Sequence, residues 1–256
     1  MKSRISDKTR LQRGLGKGDE NHKPFIRPRD FSSSGRVHRL ILSKAKNTQV
    51  ALSDLERNYI LLSDFALNVT SVKTQVALLP LEATQKIAWD LGIQHPSNGK
   101  SDIVMTTDIL LDVAEEGVAN QEAISVKPWT LITDRVIEKF QIEKDYWKSK
   151  GVSWTNLTEK ELDPIAVNNV LFLRDYRLSK NLYGEQIFDF FKVKKSELIN
   201  ERIGELIRQA ALVNRITLND GRVAFLHLLS KQEITFEITR SFNWERKVNE
   251  FNVVSK

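Results

Sequence analysis

Residues 102–128 carry the strongest fold signal in the sequence, because their pattern predicts a β-hairpin. Two apolar, strand-favouring runs lie at 103–105 and 109–111, and a third lies at 123–126. Between them, residues 115–117 read Glu-Glu-Gly, which is typical of a turn. We expect the neighbouring elements of the chain to pack around this hairpin.

The register of the hairpin decides which side chains face each other. A register symmetric about residues 117–118 places Asp108 opposite Lys127 and Leu110 opposite Ser125. Directly opposed residues have Cα atoms about 4.5–5.5 Å apart, so a carboxylate and an ammonium group would lie close together. Strand alternation also puts Ser125 and Lys127 on one face. The predicted pair is therefore placed to share one metal-bound phosphate.

Composition excludes several kinds of site. The chain of 256 residues contains no cysteine, so it has no disulfide bond, thiolate metal site or cysteine nucleophile. No apolar run approaches the roughly 18 residues of a membrane span, and the first residues lack the hydrophobic segment of a signal peptide. We therefore expect a cytoplasmic protein, and the length favours two domains.

The net charge of +6 is unevenly distributed along the chain. Residues 1–48 contain 13 Lys and Arg against 4 Asp and Glu, residues 49–165 contain 11 against 18, and residues 166–256 contain 15 against 11. The net charges of these segments are +9, −7 and +4. Basic flanks around an acidic middle indicate ends that bind a polyanion and a centre that concentrates carboxylates for cations. A basic tail that is merely solvated gives the same pattern.

The basic N-terminal region divides into two parts. Residues 1–30 are rich in Gly and Arg and lack apolar periodicity, which predicts a mobile basic arm. Arg36, His38 and Arg39 then alternate into an apolar run, which predicts a short strand or turn with a cationic patch, and Lys46 follows it. These four side chains are candidate DNA-phosphate contacts, a role that fixes the position of the protein without reading sequence.

A helix is predicted to begin near Ser53, where Ser53 and Glu56 form the S-x-x-E capping pattern. Glu56 then has two alternative roles. In the first, it only caps the helix by accepting a hydrogen bond from the Ser53 backbone N–H, which the local sequence favours. In the second, its carboxylate points from the first helical turn towards the hairpin as a metal ligand.

The rest of residues 31–165 reads as further strands and helices of one mixed α/β domain. Strands are predicted at 69–79 and, with a turn, within 150–164, and helices at 84–91 and 134–150. In the last of these helices, Glu138 and Glu143 are predicted to be solvated or salt-bridged and not catalytic.

Residues 166–256 are predicted to form a second domain, because their order of elements differs from that of residues 31–165. After a linking helix at 166–176, the pattern predicts helices at 184–191 and 196–214, a hairpin at 216–229, and one more strand at 233–238. In a winged-helix domain, helices are followed by a β-hairpin, and such domains bind nucleic acid or a protein partner. An inert structural cap has the same order of elements.

Two carboxylates and a lysine suit the hydrolysis of a phosphodiester. The reaction needs charge neutralisation at the scissile phosphate, an activated water and a stabilised leaving oxygen. Carboxylates hold Mg²⁺, which prefers oxygen ligands and lowers the pKa of a bound water. A lysine places positive charge on the attacking water or the developing oxyanion. Taken alone, the spacing of Asp108 and Lys127 is also that of an ordinary cross-strand salt bridge.

Several motifs, in their order along the chain, resemble one family. They are RGLGKG, FSSSGRVHR, SDLERNYI, LLPLEATQKIAWDLGIQHP, VMTTDILL, AISVKP and RVIEKFQIEKDYWKSKGVSW. Together they resemble TnsA, the endonuclease subunit of heteromeric Tn-seven-like transposases. The resemblance extends from about Arg13 to about Tyr176.

The resemblance implies a restriction-endonuclease-like core, a mixed sheet flanked by helices, with an Mg²⁺-dependent active site in which Mn²⁺ can substitute. Such an enzyme cuts the non-transferred strand at the 5′ ends of the transposon. The acid of SDLE falls on Glu56, that of TTD on Asp108, and the lysine of the family's Q-x-K motif on Lys127. Ser125 replaces the usual glutamine, so metal coordination there would use the Val126 carbonyl, a water or the Ser125 hydroxyl.

The resemblance also implies partners and a location. The partners are transposon-end DNA, a DDE-family transposase that cuts and joins the other strand, and an AAA+ ATPase regulator that residues 166–256 are expected to touch. The protein would then act at the bacterial nucleoid. Two alternatives stay open: a stand-alone restriction or repair nuclease with the same core, and a non-catalytic adaptor that lost metal binding with the missing glutamine.

Overall fold

The computed structural model describes residues 5–27, 36–115, 117–177 and 180–254. The chain forms two compact units, which divide between Leu162 and Asp163, close to the boundary predicted from the sequence. In the described part of the chain, no helix combines the length and the apolarity that crossing a bilayer requires.

The first unit is built on a four-stranded mixed sheet. Its helices are α1 (Asp7–Gln12), α2 (Asp54–Phe65), α3 (Leu81–Asp90) and α4 (Asp134–Ser149), and its strands are β1 (His38–Leu40), β2 (Gln49–Ala51), β3 (Val69–Ala77), β4 (Thr106–Glu115), β5 (Val118–Val126) and β6 (Ser153–Leu157). The sheet order is β3-β4-β5-β6, with antiparallel pairing except between β5 and β6, which are parallel. Strands β1 and β2 form a separate antiparallel pair. The predicted mixed α/β architecture is confirmed.

Helices cover the sheet because its central strands are apolar. Leu110 of β4 and Ala123 of β5 pack in one buried cluster with Ile142 and Trp147 of α4. Parallel pairing at the β5–β6 edge requires a crossover, and α4 provides it between the two strands. The helix is thereby fixed beside the end of β5, where the predicted lysine lies.

The hairpin of β4 and β5 exists, but its predicted register is wrong. The structure pairs Glu115 with Val118, Leu110 with Ala123, and Ile109 with Ile124. The loop therefore contains only residues 116 and 117, of which 116 lies outside the described residues, and Gly117 has a φ of +81° that suits such a short turn. Lys127 consequently lies beyond the paired residues of the hairpin and not opposite Asp108.

Of residues 1–30, which the composition predicted to be a mobile arm, residues 5–27 are part of the folded unit, and residues 1–4 and 28–30 lie outside the described residues. The Phe25 N–H donates to the Gln75 carbonyl at 3.0 Å, and the Ala77 N–H donates to the Gly16 carbonyl at 2.9 Å, so the segment lies along β3. Gly16 has a φ of +76°, and a Cβ there would lie 2.7 Å from the Ala77 Cβ. The glycines that make this region look flexible instead allow the backbone to approach the sheet closely.

The second unit contains α5 (Pro164–Arg177), α6 (Gly184–Lys194), α7 (Ile203–Val213), α8 (Leu218–Ser230) and the antiparallel pair of β7 (Ile234–Phe236) and β8 (Phe251–Val253). The hairpin predicted at 216–229 is wrong, because that segment is helix α8. The Thr217 hydroxyl caps it by accepting from the Asp220 N–H at 3.1 Å, so Asn219, Asp220 and Gly221 form the first helical turn. The winged-helix assignment stays a prediction.

Candidate active site

Glu56 lies in the first turn of α2 and caps it. The Ser53 hydroxyl accepts from the Glu56 N–H at 3.1 Å, and the Glu56 carboxylate accepts from the Ser53 hydroxyl at 3.1 Å and from the Leu52 N–H at 2.8 Å. The capping role is therefore confirmed, with the Leu52 N–H as donor in place of the Ser53 N–H. The Glu56 carboxylate also accepts a hydrogen bond from outside the helix cap, from a side chain of the sheet.

That donor is Gln75 of β3, which the sequence analysis did not single out. Its side-chain Nε2 lies 3.4 Å from the Glu56 Oε2 and 3.1 Å from the Asp108 Oδ1. The Gln75 Oε1 accepts from the Thr106 hydroxyl at 3.4 Å. One buried amide group thus bridges two carboxylates that come from different elements.

The backbone at Gln75 is unusual. Its φ is +53°, a left-handed conformation that costs a residue with a side chain about 1–3 kcal/mol. Gln75 lies between the paired residues Thr74 and Val76, opposite Asp108 on β4. This strained backbone places the side-chain amide of Gln75 next to the two carboxylates, and the residue is only 1% exposed. Strain of this kind is often kept at functional sites.

Asp108 is held from a second side by β5. The Val126 N–H donates to the Asp108 Oδ2 at 2.8 Å. Lys127 follows directly, and its own N–H donates to the Leu157 carbonyl of β6 at 3.0 Å. Asp108 and Lys127 are both half-buried, so solvent reaches this edge of the site. The three predicted catalytic residues therefore converge, although not through the cross-strand pair that the sequence suggested.

The pKa values of the two acids are both shifted in the same direction. Burial raises the pKa of Glu56 to about 8, helped by the negative charge of Asp108 and opposed by the Leu52 N–H, Ser53 and Lys127. Burial also raises the pKa of Asp108, against the Val126 N–H, Gln75 and the charge of Lys127. The charge of Asp108 disfavours the ionised form of Glu56, as expected for like charges in one site.

These carboxylates fit a divalent cation. Both are hard oxygen donors, as Mg²⁺ and Mn²⁺ prefer, and a cation would offset the burial and the Asp108 charge that together raise the pKa of Glu56. Within the described residues, no group of three or more His, Cys, Asp or Glu side chains could hold a metal. Glu56 and Asp108 are the two carboxylates that would hold a cation at this site.

Ser125 belongs to a different network. Its hydroxyl donates to the Glu143 Oε1 at 2.5 Å and accepts from the Trp154 Nε1 at 3.1 Å. The Thr107 hydroxyl also donates to the Glu143 Oε1 at 2.5 Å, and the Trp147 Nε1 donates to that hydroxyl at 2.6 Å. A role for the Ser125 hydroxyl as a metal ligand stays a prediction.

The prediction that Glu143 is solvated or salt-bridged is wrong. Glu143 is only 5% exposed, and burial raises the pKa of its carboxyl to about 7, opposed by the hydrogen bonds from Ser125 and Thr107. Its helical neighbour Glu138 behaves as predicted, because it forms a salt bridge with Arg135 at 2.5 Å. In the sequence, the amphipathic pattern of α4 gave no sign that Glu143 faces inwards.

The four candidate phosphate contacts lie in different surroundings. The His38 Nε2 lies 2.7 Å from the Asp54 Oδ1 in the first turn of α2, which brings His38 close to the helix end that carries Glu56. Arg36 and Arg39 are exposed. Lys46 pairs with Glu20 at 2.9 Å and lines a cavity of about 410 Å³ whose walls do not include Glu56, Asp108 or Lys127.

Comparison with known proteins identifies the family. A family model described as TnsA-like endonuclease N terminal matches residues 66–159, which include Asp108 and Lys127. The Escherichia coli protein named transposon Tn7 transposition protein TnsA is 35% identical over 173 residues. This match covers 67% of the present chain and 63% of the relative, so it spans less than two thirds of the relative's length. On the match to this family model and the 35% identity to this relative, the chain belongs to the TnsA-like endonuclease family.

Proposed function

We propose that the chain is the endonuclease subunit of a heteromeric transposase, and that it cleaves the non-transferred DNA strand at the 5′ ends of the transposon in an Mg²⁺-dependent reaction. The observation that carries the proposal is the Gln75 amide bridging Glu56 and Asp108, with the charge of Lys127 acting on both carboxyls. Two acids and a lysine are the groups that phosphodiester hydrolysis requires.

Each residue has a distinct task in this proposal. Glu56 and Asp108 hold the divalent cation, which supplies charge neutralisation and a more acidic water when bound. Gln75 and the Val126 N–H fix the orientation of the Asp108 carboxylate, and the cap at Leu52 fixes that of Glu56. Lys127 carries positive charge on a flexible stem at the solvent-reached edge, where it stabilises the negative charge that develops on the scissile phosphate.

The proposal includes partners. A DDE-family transposase would cut and join the other strand, and an AAA+ ATPase regulator would contact the second unit, residues 163–256. The name of the Escherichia coli relative, a transposition protein, supports a role in transposition. Transposon-end DNA is the proposed substrate.

The decisive experiment measures donor excision with all partners present. Asp108→Asn and Lys127→Ala should each reduce 5′-strand cleavage by about 10²-fold or more, because each removes charge from the reacting centre. Cleavage of the other strand by the transposase should persist. Lys144→Ala, an exposed lysine of α4, is the matched control and should leave both strands cut normally. Retained 5′-strand cleavage in Asp108→Asn would overturn the assignment of the site.

A non-catalytic adaptor is the second candidate, since the described residues offer no cluster of three metal-binding side chains. Calorimetric titration with Mn²⁺ separates the two functions. The nuclease should bind Mn²⁺ in the wild type and not in Asp108→Ala, whereas the adaptor should show no binding that depends on this carboxylate. A stand-alone nuclease would differ from both by cutting DNA in the absence of a transposase.

A further inference from the structure

A lysine on α4 lies beside the proposed active site without belonging to it. Glu143 fixes one face of α4 against the sheet through its hydrogen bond to Ser125 of β5. Lys139 is four residues earlier on the same helix, and residues at this spacing lie on one face, about 5–6 Å apart at Cβ. Long helical side chains lean towards the N-terminus of the helix. Lys139 therefore extends beyond the point at which Ser125 is held, towards the end of β5.

Lys139 is an exposed residue near other cations. Partial burial lowers the pKa of Lys139, and the positive charges of Arg135 and Lys127 lower it further. Lys139 is thus within electrostatic range of the proposed catalytic lysine. Its ammonium group forms no salt bridge with any residue that the structure describes. Arg135, by contrast, is neutralised by Glu138 at 2.5 Å and also donates to the Gln94 carbonyl at 2.6 Å.

The positive charges of Arg135 and Lys127 disfavour the charged form of Lys139 in the protein alone. Residues 49–165 have a net charge of −7, yet no carboxylate of the described residues forms a salt bridge with Lys139. Like charges held near each other repel, and an anion placed between them converts that repulsion into attraction.

The loop that carries Lys127 is fixed in position. The Lys127 N–H donates to the Leu157 carbonyl, and the Trp129 N–H donates to the Glu159 carboxylate at 2.9 Å. The Lys160 ammonium lies 3.3 Å from the centre of the Trp129 ring. These contacts join the loops after β5 and β6, so the backbone that carries Lys127 is held in place before any ligand binds.

We propose that Lys139 binds a backbone phosphate of the DNA substrate next to the scissile phosphate, as a positioning residue beside Lys127. The inference rests on the proposed nuclease function and adds to it a second phosphate site, built from α4. Lys139 places the DNA strand so that the neighbouring phosphate falls between Lys127 and the two carboxylates. Because the contact is to phosphate, it does not depend on the base sequence.

The test compares lysines on opposite sides of α4. Binding of the full-length protein to a fluorescent DNA duplex is measured by anisotropy over a series of salt concentrations. Lys139→Ala should lower the slope of log affinity against log salt by about 1, because one phosphate contact is lost. Lys139→Arg keeps the charge and should restore the slope. Lys144→Ala removes a charge about 140° away around the helix and should change nothing.

Cleavage and metal binding supply the second readout. In the assembled transposase, Lys139→Ala should reduce 5′-strand cleavage about tenfold or more, while its Mn²⁺ binding stays that of the wild type. A salt slope and a cleavage rate equal to those of Lys144→Ala would overturn the inference, as would loss of Mn²⁺ binding in Lys139→Ala, which would make the lysine a structural part of the metal site.

The two proposals fail in different ways. If the wild type neither binds Mn²⁺ through Asp108 nor cuts DNA, the proposed nuclease function is wrong, and so is the positioning role that rests on it. If the wild type does both, and Lys139→Ala matches Lys144→Ala, only the role of Lys139 is wrong.

Discussion

The carboxylates of Glu56 and Asp108 share one hydrogen-bond donor, the Gln75 side-chain amide, at 3.4 and 3.1 Å. Glu56 comes from the capped end of α2 and Asp108 from the centre of the sheet, so neither element alone determines their separation. Gln75 connects them, and its strained backbone is the local cost of doing so. In the proposed site, the relative position of the two acids therefore depends on an uncharged residue.

Replacing Gln75 tests this dependence. Gln75→Ala should reduce 5′-strand cleavage by about 10- to 100-fold, the usual effect of removing a group that orients metal-binding side chains. Mn²⁺ affinity should fall with it, because the two carboxylates lose their common donor. Gln121→Ala removes an exposed glutamine of β5 and serves as the control in both measurements. Equal activity of the two variants would show that Gln75 does not organise the site.

Metal binding should depend on pH through Glu56. Its carboxyl has a pKa raised to about 8, so at pH 6 the folded protein holds a proton that a cation must displace. Mn²⁺ affinity should therefore rise with pH, by up to about tenfold per unit, and level off near pH 8. Calorimetry at pH 6, 7 and 8 measures this. An affinity that is constant over the range would contradict a Glu56 ligand with a raised pKa.

The same titration in Glu56→Gln provides the internal comparison. This variant keeps the shape of the side chain but loses its titrating group, so any remaining binding through Asp108 should be weaker and should change less between pH 6 and 8. A pH dependence identical to that of the wild type would assign the effect to another group.

Glu143 makes a separate prediction about stability. Its pKa is about 7 in the folded protein against 4.5 normally, so between these values the folded state keeps a proton that the unfolded chain has lost. The free energy of unfolding should therefore fall as pH rises from 5 to 8, by at most about 3 kcal/mol from this residue. Denaturant unfolding followed by tryptophan fluorescence is suitable, because Trp147 and Trp154 lie in the same hydrogen-bond network.

Glu143→Gln isolates that contribution from Glu56, whose raised pKa acts in the same direction. The variant cannot ionise, so it should lose the part of the pH dependence due to Glu143 and should exceed the wild type in stability at pH 8. Unchanged pH dependence in Glu143→Gln would place the titrating group elsewhere.

Local patterns predicted the helix cap at Ser53 and Glu56 and the strands β4 and β5. The assignment of Glu56, Asp108 and Lys127 to one site came instead from the resemblance to the TnsA family, because the local sequence equally allows a helix cap and a cross-strand salt bridge. The register of the hairpin could not be predicted, because it depends on which two residues form the turn. The prediction placed the turn at residues 117–118, whereas the structure places it one residue earlier. That choice moved Lys127 beyond the paired residues of the hairpin and made Val126 the backbone donor to Asp108.

Gln75 and Glu143 were missed for a different reason. Gln75 reaches the acids with a positive φ, a conformation that glutamine disfavours. Strand propensity does not indicate where such a conformation occurs, so the sequence could not predict the position of this side chain. Glu143 lies on an amphipathic helix, where a charged residue is expected to face solvent. The hydroxyls of Ser125 and Thr107 donate hydrogen bonds that stabilise its buried carboxyl, and these partners come from other parts of the sequence. Helix α8 was missed because Asn-Asp-Gly favours a turn, whereas here it follows the capping Thr217.

Gly16 gives a prediction about how the N-terminal segment is attached. Its φ of +76° and the 2.7 Å separation between its built Cβ and the Ala77 Cβ combine strain with a steric clash. Gly151 has a similar φ of +71° but nothing within 4 Å of a built Cβ. Gly151→Ala should therefore cost about 1 kcal/mol of unfolding free energy, and Gly16→Ala at least 1–3 kcal/mol more. Denaturant unfolding measures both, and equal costs would mean that residues 5–27 do not pack on β3.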